Sequence, residues 1–577
     1  MSGELPSVER KWREYYDEGE LNVEMSGSSM YDSIYNPDYV EREAFSYFGK
    51  SFTYGSFYEA IERTARAFAA NGIRKGDVVM LMLPTLPETL FCFYALNRIG
   101  AVANMVDVRY TTAQLKQVVG KTKPRMLVAM TFYLRRLETV RKELGFEKII
   151  LLRGCESLSS FICFWNKFGD FFDGRLRIAN RCKDYLFWTD FIESGSKCPE
   201  LHKVDVKGDD VAAIFQTSGT TGFLKCVVHT NSNLNNSSMM KHFHLNDPQP
   251  GDRVLSIIPC FALFGFVFDV NMPLKYGMTL SIVPLFNVKG MASLILRHRP
   301  NHIFSVPSQW EHVIGRIKAD CDLSFIKTVY VAGEVLDKSL RLKVNEILRS
   351  GNSRAELCSD YGMTETAGTI SYMDPRALKD DACGKGYSGI PMALCDVCIF
   401  DDEAGCELDY NQEGEVCVRV PFSLKEYYAD SEATSELLRS HPDGKVWLHT
   451  GDTGYLTEKG HLYVIGRKKR MIVRFDGTKI FPIELESVVK TVDGVVECSV
   501  VAGPDPIHTQ GHHPYVFVLP DDGVSKQTLK KEIRRCCSEK LPLYLQPHRI
   551  CIVDDIPHNS MGKIDYLKLT EQIKTEC

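Results

Sequence analysis

The chain has 577 residues, 44% of them hydrophobic and 25% charged, which is enough apolar material for more than one buried core. A net charge of −5 at pH 7 leaves no strong footprint for nucleic acid. No run approaches the roughly 20 apolar residues of an integral membrane segment, and the opening "MSGELPSVERKWREYYDEGEL" is charged from the start, without the apolar centre of a secretory signal.

From about Ser51 the pattern alternates. "FTYGSFYEAIERTARAFAANG" carries apolar residues at helical spacing and stops at Gly72; "DVVMLMLP" follows as a buried strand; "PETLFCFYALNRIGAVANMV" reads as helix, glycine, strand. Such units with short connections predict a parallel sheet covered on both faces. In "ESLSSFICFWNKFGDFF", Leu158, Phe161, Ile162, Trp165, Phe168 and Phe172 share one helical face. The pattern suits a helix packed on the core, a pocket lid or a membrane-surface helix, and Lys167 as its sole base argues against anionic lipid. The alternation resumes at Val211–Phe215 and Cys226–His229, then at "DRVLSIIP", "MTLSIVP", "HIFSVPS" and "IKTVYVAG". Near residue 470 the character changes to charged strands and a basic helix ("KQTLKKEIRRCCSEKLP"), a small α+β unit of roughly 100 residues. The fold class is therefore α/β, with a large N-terminal domain over residues 1–466 and a small C-terminal domain over residues 467–577.

Nineteen scattered cysteines, several inside apolar runs, read as the reduced thiols of a cytoplasmic enzyme. The one Cys-x-x-Cys pair, Cys395 and Cys398, lies in a strand-like run where residues three apart point to opposite faces, and no second pair stands nearby, so a metal site is not expected there.

Between two of the strands stands "QTSGTTGFLK". Gly219 and Gly222 can adopt positive φ and expose successive backbone N–H groups. Thr217, Ser218, Thr220 and Thr221 add hydroxyls and Lys225 a cation, a set that suits a polyphosphate. The P-loop pattern requires Gly-Lys-Ser/Thr and a following helix, whereas Lys225 follows Leu224 and precedes a strand. Cys226 abuts the loop; a neighbouring cation and backbone dipoles would make it reactive, and burial would make it inert.

Four further stretches follow in order: "SDYGMTET" (359–366), "HTGDTGYL" (449–456), "GRKKR" (466–470) and "PHNSMGKIDY" (557–566). With the loop, they resemble the adenylate-forming superfamily of acyl-CoA synthetases, peptide-synthetase adenylation domains and luciferases, over nearly the whole chain. The resemblance implies that a carboxylate attacks the α-phosphorus of ATP, and that a thiol then displaces AMP. It implies ATP, Mg²⁺ and coenzyme A as cofactors, a small-molecule carboxylic acid as substrate, and a small domain that moves about a hinge at Lys469. Thr217, Ser218, Gly219, Thr220, Thr221, Gly222 and Lys225 would grip the phosphates, with Thr220, Glu365 and Lys563 catalytic. Glu365 would hold the metal, and Lys563 would bridge carboxylate and α-phosphate. Tyr361 would stack on adenine within the segment Asp360, Tyr361, Gly362, Met363 and Thr364; Ala332, Gly333 and Glu334 would face its other side; Asp452 and Arg467 would hold the ribose.

The acyl pocket would involve Phe261, Ala262, Gly265, Asp360 and Gly362. A glycine at Gly362 reads as room for a longer or aromatic acyl group. Asp360 reads either as a structural pair or as a polar anchor for a substrate with an amino or hydroxyl group. Gly477, Ile480, Pro482 and Glu484 look like the CoA-ligase form. A stand-alone adenylation enzyme loading a carrier-protein phosphopantetheine arm is the alternative, and an oxidative second step or a nucleotide sensor are further ones.

Overall fold

The computed structural model describes residues 5–138, 141–158, 184–198, 201, 204–218, 224–239, 246–284, 286–318, 321–334, 336–378, 386–474, 479–504, 512–521, 523–558 and 564–573. Among these, two large sheets carry the alternating pattern. In the first, strands Val211–Ser218, Val102–Met105, Val78–Met82, Met126–Met130, Lys148–Leu152 and Tyr185–Phe187 run parallel, and Leu224–Thr230 turns back antiparallel at one edge. In the second, Leu357–Met363, Thr328–Val331, His302–Ser305, Arg253–Ser256, Thr279–Ile282 and Glu43–Tyr47 are parallel, with an antiparallel extension through Gly368–Tyr372.

Helix Tyr54–Ala70 begins where the Thr53 hydroxyl accepts from Ser56 N (3.2 Å), and it turns Phe57, Ile61 and Phe68 inward. Helix Pro87–Arg98 is apolar all round and buried along its length, as befits an element covered on every side. Its Phe93 ring lies 4.2 Å from Phe266, and Phe57 packs edge-on to Tyr94. One continuous apolar cluster runs from Trp12 to Leu462.

A third, antiparallel sheet contains Asp396–Asp401, Gly414–Arg419, Val446–Leu456 and Leu462–Arg467. After it come the three-stranded sheet Val495–Pro504, His512–Pro520, Arg549–Ile552 and helices Pro482–Val489, Lys526–Lys540 and Tyr566–Glu571. This C-terminal part has cores of its own, one around Leu485, Val500, Val516 and Ile533 and one around Phe517, Ile556 and Leu569. The chain is thus α/β, with a large N-terminal part and a small C-terminal one. The apolar segment expected as a helix, beyond Leu158, lies outside the described residues. Among the described residues no helix is long and apolar enough to cross a membrane.

Fourteen of the described cysteines, most of them buried, are free thiols.

Candidate functional site

The Thr/Gly loop closes a hairpin at the edge of the first sheet. Thr217 stands opposite Lys225 and Ser218 opposite Leu224. Gly219, Thr220, Thr221 and Gly222 lie outside the described residues, as does the side chain of Ser218. The Lys225 ammonium sits 4.5 Å from the centre of the Tyr427 ring. Tyr427 belongs to the short strand Glu426–Tyr427, which pairs with Val227 and Val228. Its hydroxyl donates to Glu365 Oε1 at 2.7 Å, and burial beside that carboxylate pushes the phenol far above its usual range. Lys225, Tyr427 and Glu365 therefore form one line from the hairpin to the buried acid. No sequence signal in the Tyr427 segment pointed to it; its place follows from pairing with a distant strand.

Glu365 lies on the single turn Thr364–Thr366. His229, from the hairpin's second strand, bonds through Nε2 to Thr364 O at 2.8 Å. The ring is fully buried, which holds its pKa down to about 4. A neutral imidazole with Nε2 as the donor satisfies that contact. Sequence reasoning missed His229 too, because a lone histidine in an apolar strand carries no distinguishing pattern.

A second cluster joins the second and third sheets. Tyr361 hydroxyl donates to Asp452 Oδ2 at 2.6 Å, and Arg467 Nε pairs with Asp452 Oδ1 at 2.6 Å. Asp452 and Arg467 are register partners on adjacent strands, so the ion pair is fixed by backbone pairing. Burial and the Asp452 charge push the Tyr361 phenol well above its ordinary value. Ala332, Gly333 and Glu334 follow the end of the strand beside Tyr361's, where Val331 pairs with Ser359. Gly333 has φ +81°, and Glu334 is held by Ser308, whose N and Oγ donate at 3.1 Å. Crevices at the carboxyl ends of parallel strands are the usual ligand position in such sheets.

The expected acyl-pocket residues divide. Ala262 is partly exposed, while Phe261 is buried with Arg109 5.5 Å above its ring. A Cβ at Gly265 would fall 2.6 Å from Pro259 O, and one at Gly362 would fall 2.0 Å from Gly368 O. A neighbouring backbone crosses Gly362 at a register shift, and that close approach accounts for a glycine there without an acyl group. Behind Gly368 stand Phe268, Phe264 and Phe304, with ring centres 5.0 to 6.4 Å apart. Asp360 is buried and accepts from Thr369 Oγ1 at 2.6 Å across the same pair of strands, the structural alternative of its two readings. Cys226 is buried, and burial pushes its thiol up to about 11, in line with the inert of its two readings.

At the junction, Lys468–Arg470 form a single turn. Lys468 reaches back to Asp402 (2.5 Å) and Glu415 (3.5 Å) on the third sheet. Arg470 reaches forward to Glu486 (2.6 Å) and Val500 O (3.2 Å) and lies 3.8 Å over the Tyr566 ring. Lys469 stands between these opposed anchorages. Lys563 and Gly477 lie outside the described residues. Of the CoA-ligase-form positions, Ile480 and Pro482 are buried at the start of helix Pro482–Val489.

Comparison with known proteins matches residues 36–428 to the family described as AMP-binding enzyme, and residues 484–563 to the AMP-binding enzyme C-terminal domain. 4-Coumarate--CoA ligase 3 of Arabidopsis thaliana is 28% identical over 524 residues, covering 89% of this chain and 85% of the relative. Among solved structures, the anthranilate CoA ligase AuaEII in complex with anthranoyl-AMP superposes with a TM-score of 0.79 at 20% identity, over 94% of this chain and 97% of that one. ATP-bound MatB from Rhodopseudomonas palustris gives 0.77 at 20% identity, over 95% and 99%.

Proposed function

Because the chain belongs to the AMP-binding enzyme family, as an acyl-CoA ligase-like member of the adenylate-forming superfamily, we propose that it activates a carboxylic acid with ATP and passes the acyl group to coenzyme A. The observation that carries this reading is the joining of Tyr361, Asp452 and Arg467 in one hydrogen-bonded unit beside the Ala332–Gly333–Glu334 loop.

In the first step a carboxylate oxygen bonds to the α-phosphorus, the α–β phosphoanhydride breaks, and pyrophosphate leaves. Asp452 and Arg467 hold the ribose, whose two hydroxyl donors suit the two acceptor oxygens of the Asp452 carboxylate. Tyr361, with its hydroxyl tied to Asp452, presents its ring to adenine, and Ala332–Glu334 face the other side. Thr217, Ser218, Gly219, Thr220, Thr221, Gly222 and Lys225 take the β- and γ-phosphates. Glu365 would hold Mg²⁺, since Tyr427 occupies one of its oxygens and leaves the other to a cation that is bound through one carboxylate, phosphates and water. That ion, when bound, neutralises phosphate charge. Lys563 offsets the charge shared by carboxylate and phosphate. In the second step the thiol sulfur of coenzyme A bonds to the acyl carbon, the thiol proton is lost, and AMP leaves.

We place the boundary between the large domain, 1–466, and the small one, 467–577, at this junction, with rotation about Lys469 between the steps. Support comes from the separate cores and from the opposed anchorages of Lys468 and Arg470. Aromatic acids head the candidate substrates, because the named relatives act on 4-coumarate and anthranilate.

Pyrophosphate release from purified protein with ATP and Mg²⁺ tests this over aryl, fatty and amino acids, with coenzyme A, a holo-carrier protein or neither. Acid-dependent release with thioester formed on coenzyme A is expected. Thioester formed on the carrier protein alone would reassign the acceptor, and release independent of any acid would overturn the reading.

A further inference from the structure

We infer that Cys398, Cys417, His441 and His449 form a binding site for a thiophilic divalent cation, zinc foremost, inside the third sheet. Backbone pairing brings them together. Cys398 stands opposite Cys417, and Cys417 opposite His449, on three neighbouring antiparallel strands. Directly opposite residues share a face of the sheet, with Cβ atoms about 5 Å apart. His441, from the turn that precedes strand Val446–Leu456, covers the row. Its Nε2 is 2.9 Å from His449 Nε2, and its Nδ1 is 4.0 Å from Cys398 Sγ. One ligand atom each from Cys417, His441 and His449 lies within 4.8 Å of the others, and Cys398 is the second thiol beside them.

The surroundings are those of a built site. All four side chains are buried. Phe400 stacks on the His441 ring at 3.9 Å, and Trp447 lies on it at 5.5 Å, which excludes water. Glu415 Oε2 is 3.1 Å from His449 Nδ1. That contact fixes the proton on Nδ1 and turns the Nε2 lone pair inward, the carboxylate–histidine arrangement found behind metal-bound imidazoles. One sulfur and two imidazole nitrogens, with the Cys398 thiol adjacent as the candidate fourth ligand, suit a tetrahedral ion of zinc's softness. Binding releases the two thiol protons, and the thiolates then cancel the ion's charge, so no net charge is buried. A rival oxygen-rich set, Asp402, Glu415 and His449, is already committed: Lys468 and Arg439 pair with Asp402, and Gly451 N donates to Glu415 at 3.0 Å.

Cys-x-x-Cys spacing is not what makes the site. Cys395 packs into the main core, while Cys398 turns to the other side with Cys417 and Trp447. The partners of Cys398 come from other strands. Through Glu415 the site also touches Gly451, next to Asp452, and Lys468, next to the junction.

The test uses the full chain, purified reduced and without chelator. Metal content by mass spectrometry should be close to one zinc per chain. After stripping, cobalt should give tetrahedral thiolate absorption that zinc removes. Cys417→Ser should abolish both signals, Glu415→Gln should weaken affinity about 10- to 100-fold, and Cys406→Ser, an exposed thiol elsewhere, should change neither. Wild-type protein with intact thiols that takes up neither zinc nor cobalt overturns the inference, whatever the variants do. So does oxidation of Cys398 to Cys417 at the same rate with and without zinc.

Discussion

The two halves of the candidate site are built differently. On the nucleoside side, Tyr361, Asp452 and Arg467 already satisfy one another, and the Asp452–Arg467 pair is locked by strand register. On the phosphate side, a cation rests on an aromatic face and the aromatic holds a buried acid, beside the strand end at Thr217. On the proposed reading, the first half is preorganised to receive two hydroxyls and a flat base, and the second supplies donors and a cation to charge that changes as the reaction runs. Loss of a nucleoside-side group should therefore appear mainly as weaker ATP binding, and loss of a phosphate-side group mainly as a slower first step.

The largest expected effect lies on the phosphate side. Lys563→Ala should slow acyl-AMP formation on the order of 10²–10³-fold. Conversion of supplied acyl-AMP and coenzyme A to thioester should be unchanged, as separate half-reaction assays would read. An equal loss in both would remove the idea that the small domain presents different residues to the two steps. Next comes Asp452→Asn, which leaves Arg467 beside a neutral acceptor. It should lower kcat/KM for ATP about 10²-fold, chiefly through KM, since breaking a charged hydrogen-bonded pair costs roughly 1.5–3 kcal/mol. A fall confined to kcat would place Asp452 with the reacting groups instead. Tyr427→Phe keeps the ring under Lys225 and deletes the donor to Glu365; about a tenfold loss in the adenylation rate, with ATP KM little changed, is the expected outcome.

His229 gives a pH test. Its pKa is about 4 in the folded protein, against 6.5 ordinarily. The unfolded state binds the proton more readily, so stability is lost as pH falls from about 6.5 toward about 4, by at most ~1.4 kcal/mol per pH unit. Urea midpoints should drop across that window in the wild type and drop less in His229→Gln. Parallel curves would assign the acid sensitivity to other groups. The smallest effect concerns selectivity. Asp360→Gly should reduce kcat/KM for a polar acid and for a plain acid of similar length by the same factor, because Asp360 is spent on Thr369. A selective loss on the polar acid would restore the anchor reading.

Much of the fold was legible because period and punctuation act locally: apolar spacing and Thr53 at its start define helix Tyr54–Ala70. The site was legible where its residues sit in contiguous stretches, as Tyr361 with Glu365 and Asp452 with Gly451 do. It was not legible where the arrangement depends on pairing between distant strands. Tyr427 reaches Glu365 through a two-residue strand, and Cys398 meets Cys417 by register. Gly362 has a second reason to be glycine, of a related kind: the contact that excludes a side chain there is with the backbone of Gly368, invisible in a linear reading.

The central claim is that a carboxylate oxygen of the substrate becomes bonded to the α-phosphorus of ATP. A single turnover with an acid whose carboxylate carries heavy oxygen, followed by thiolysis with coenzyme A and mass analysis of the nucleotide, reads that bond directly. The account predicts one labelled oxygen in each AMP and none in pyrophosphate. Unlabelled AMP, with thioester still formed, would contradict it.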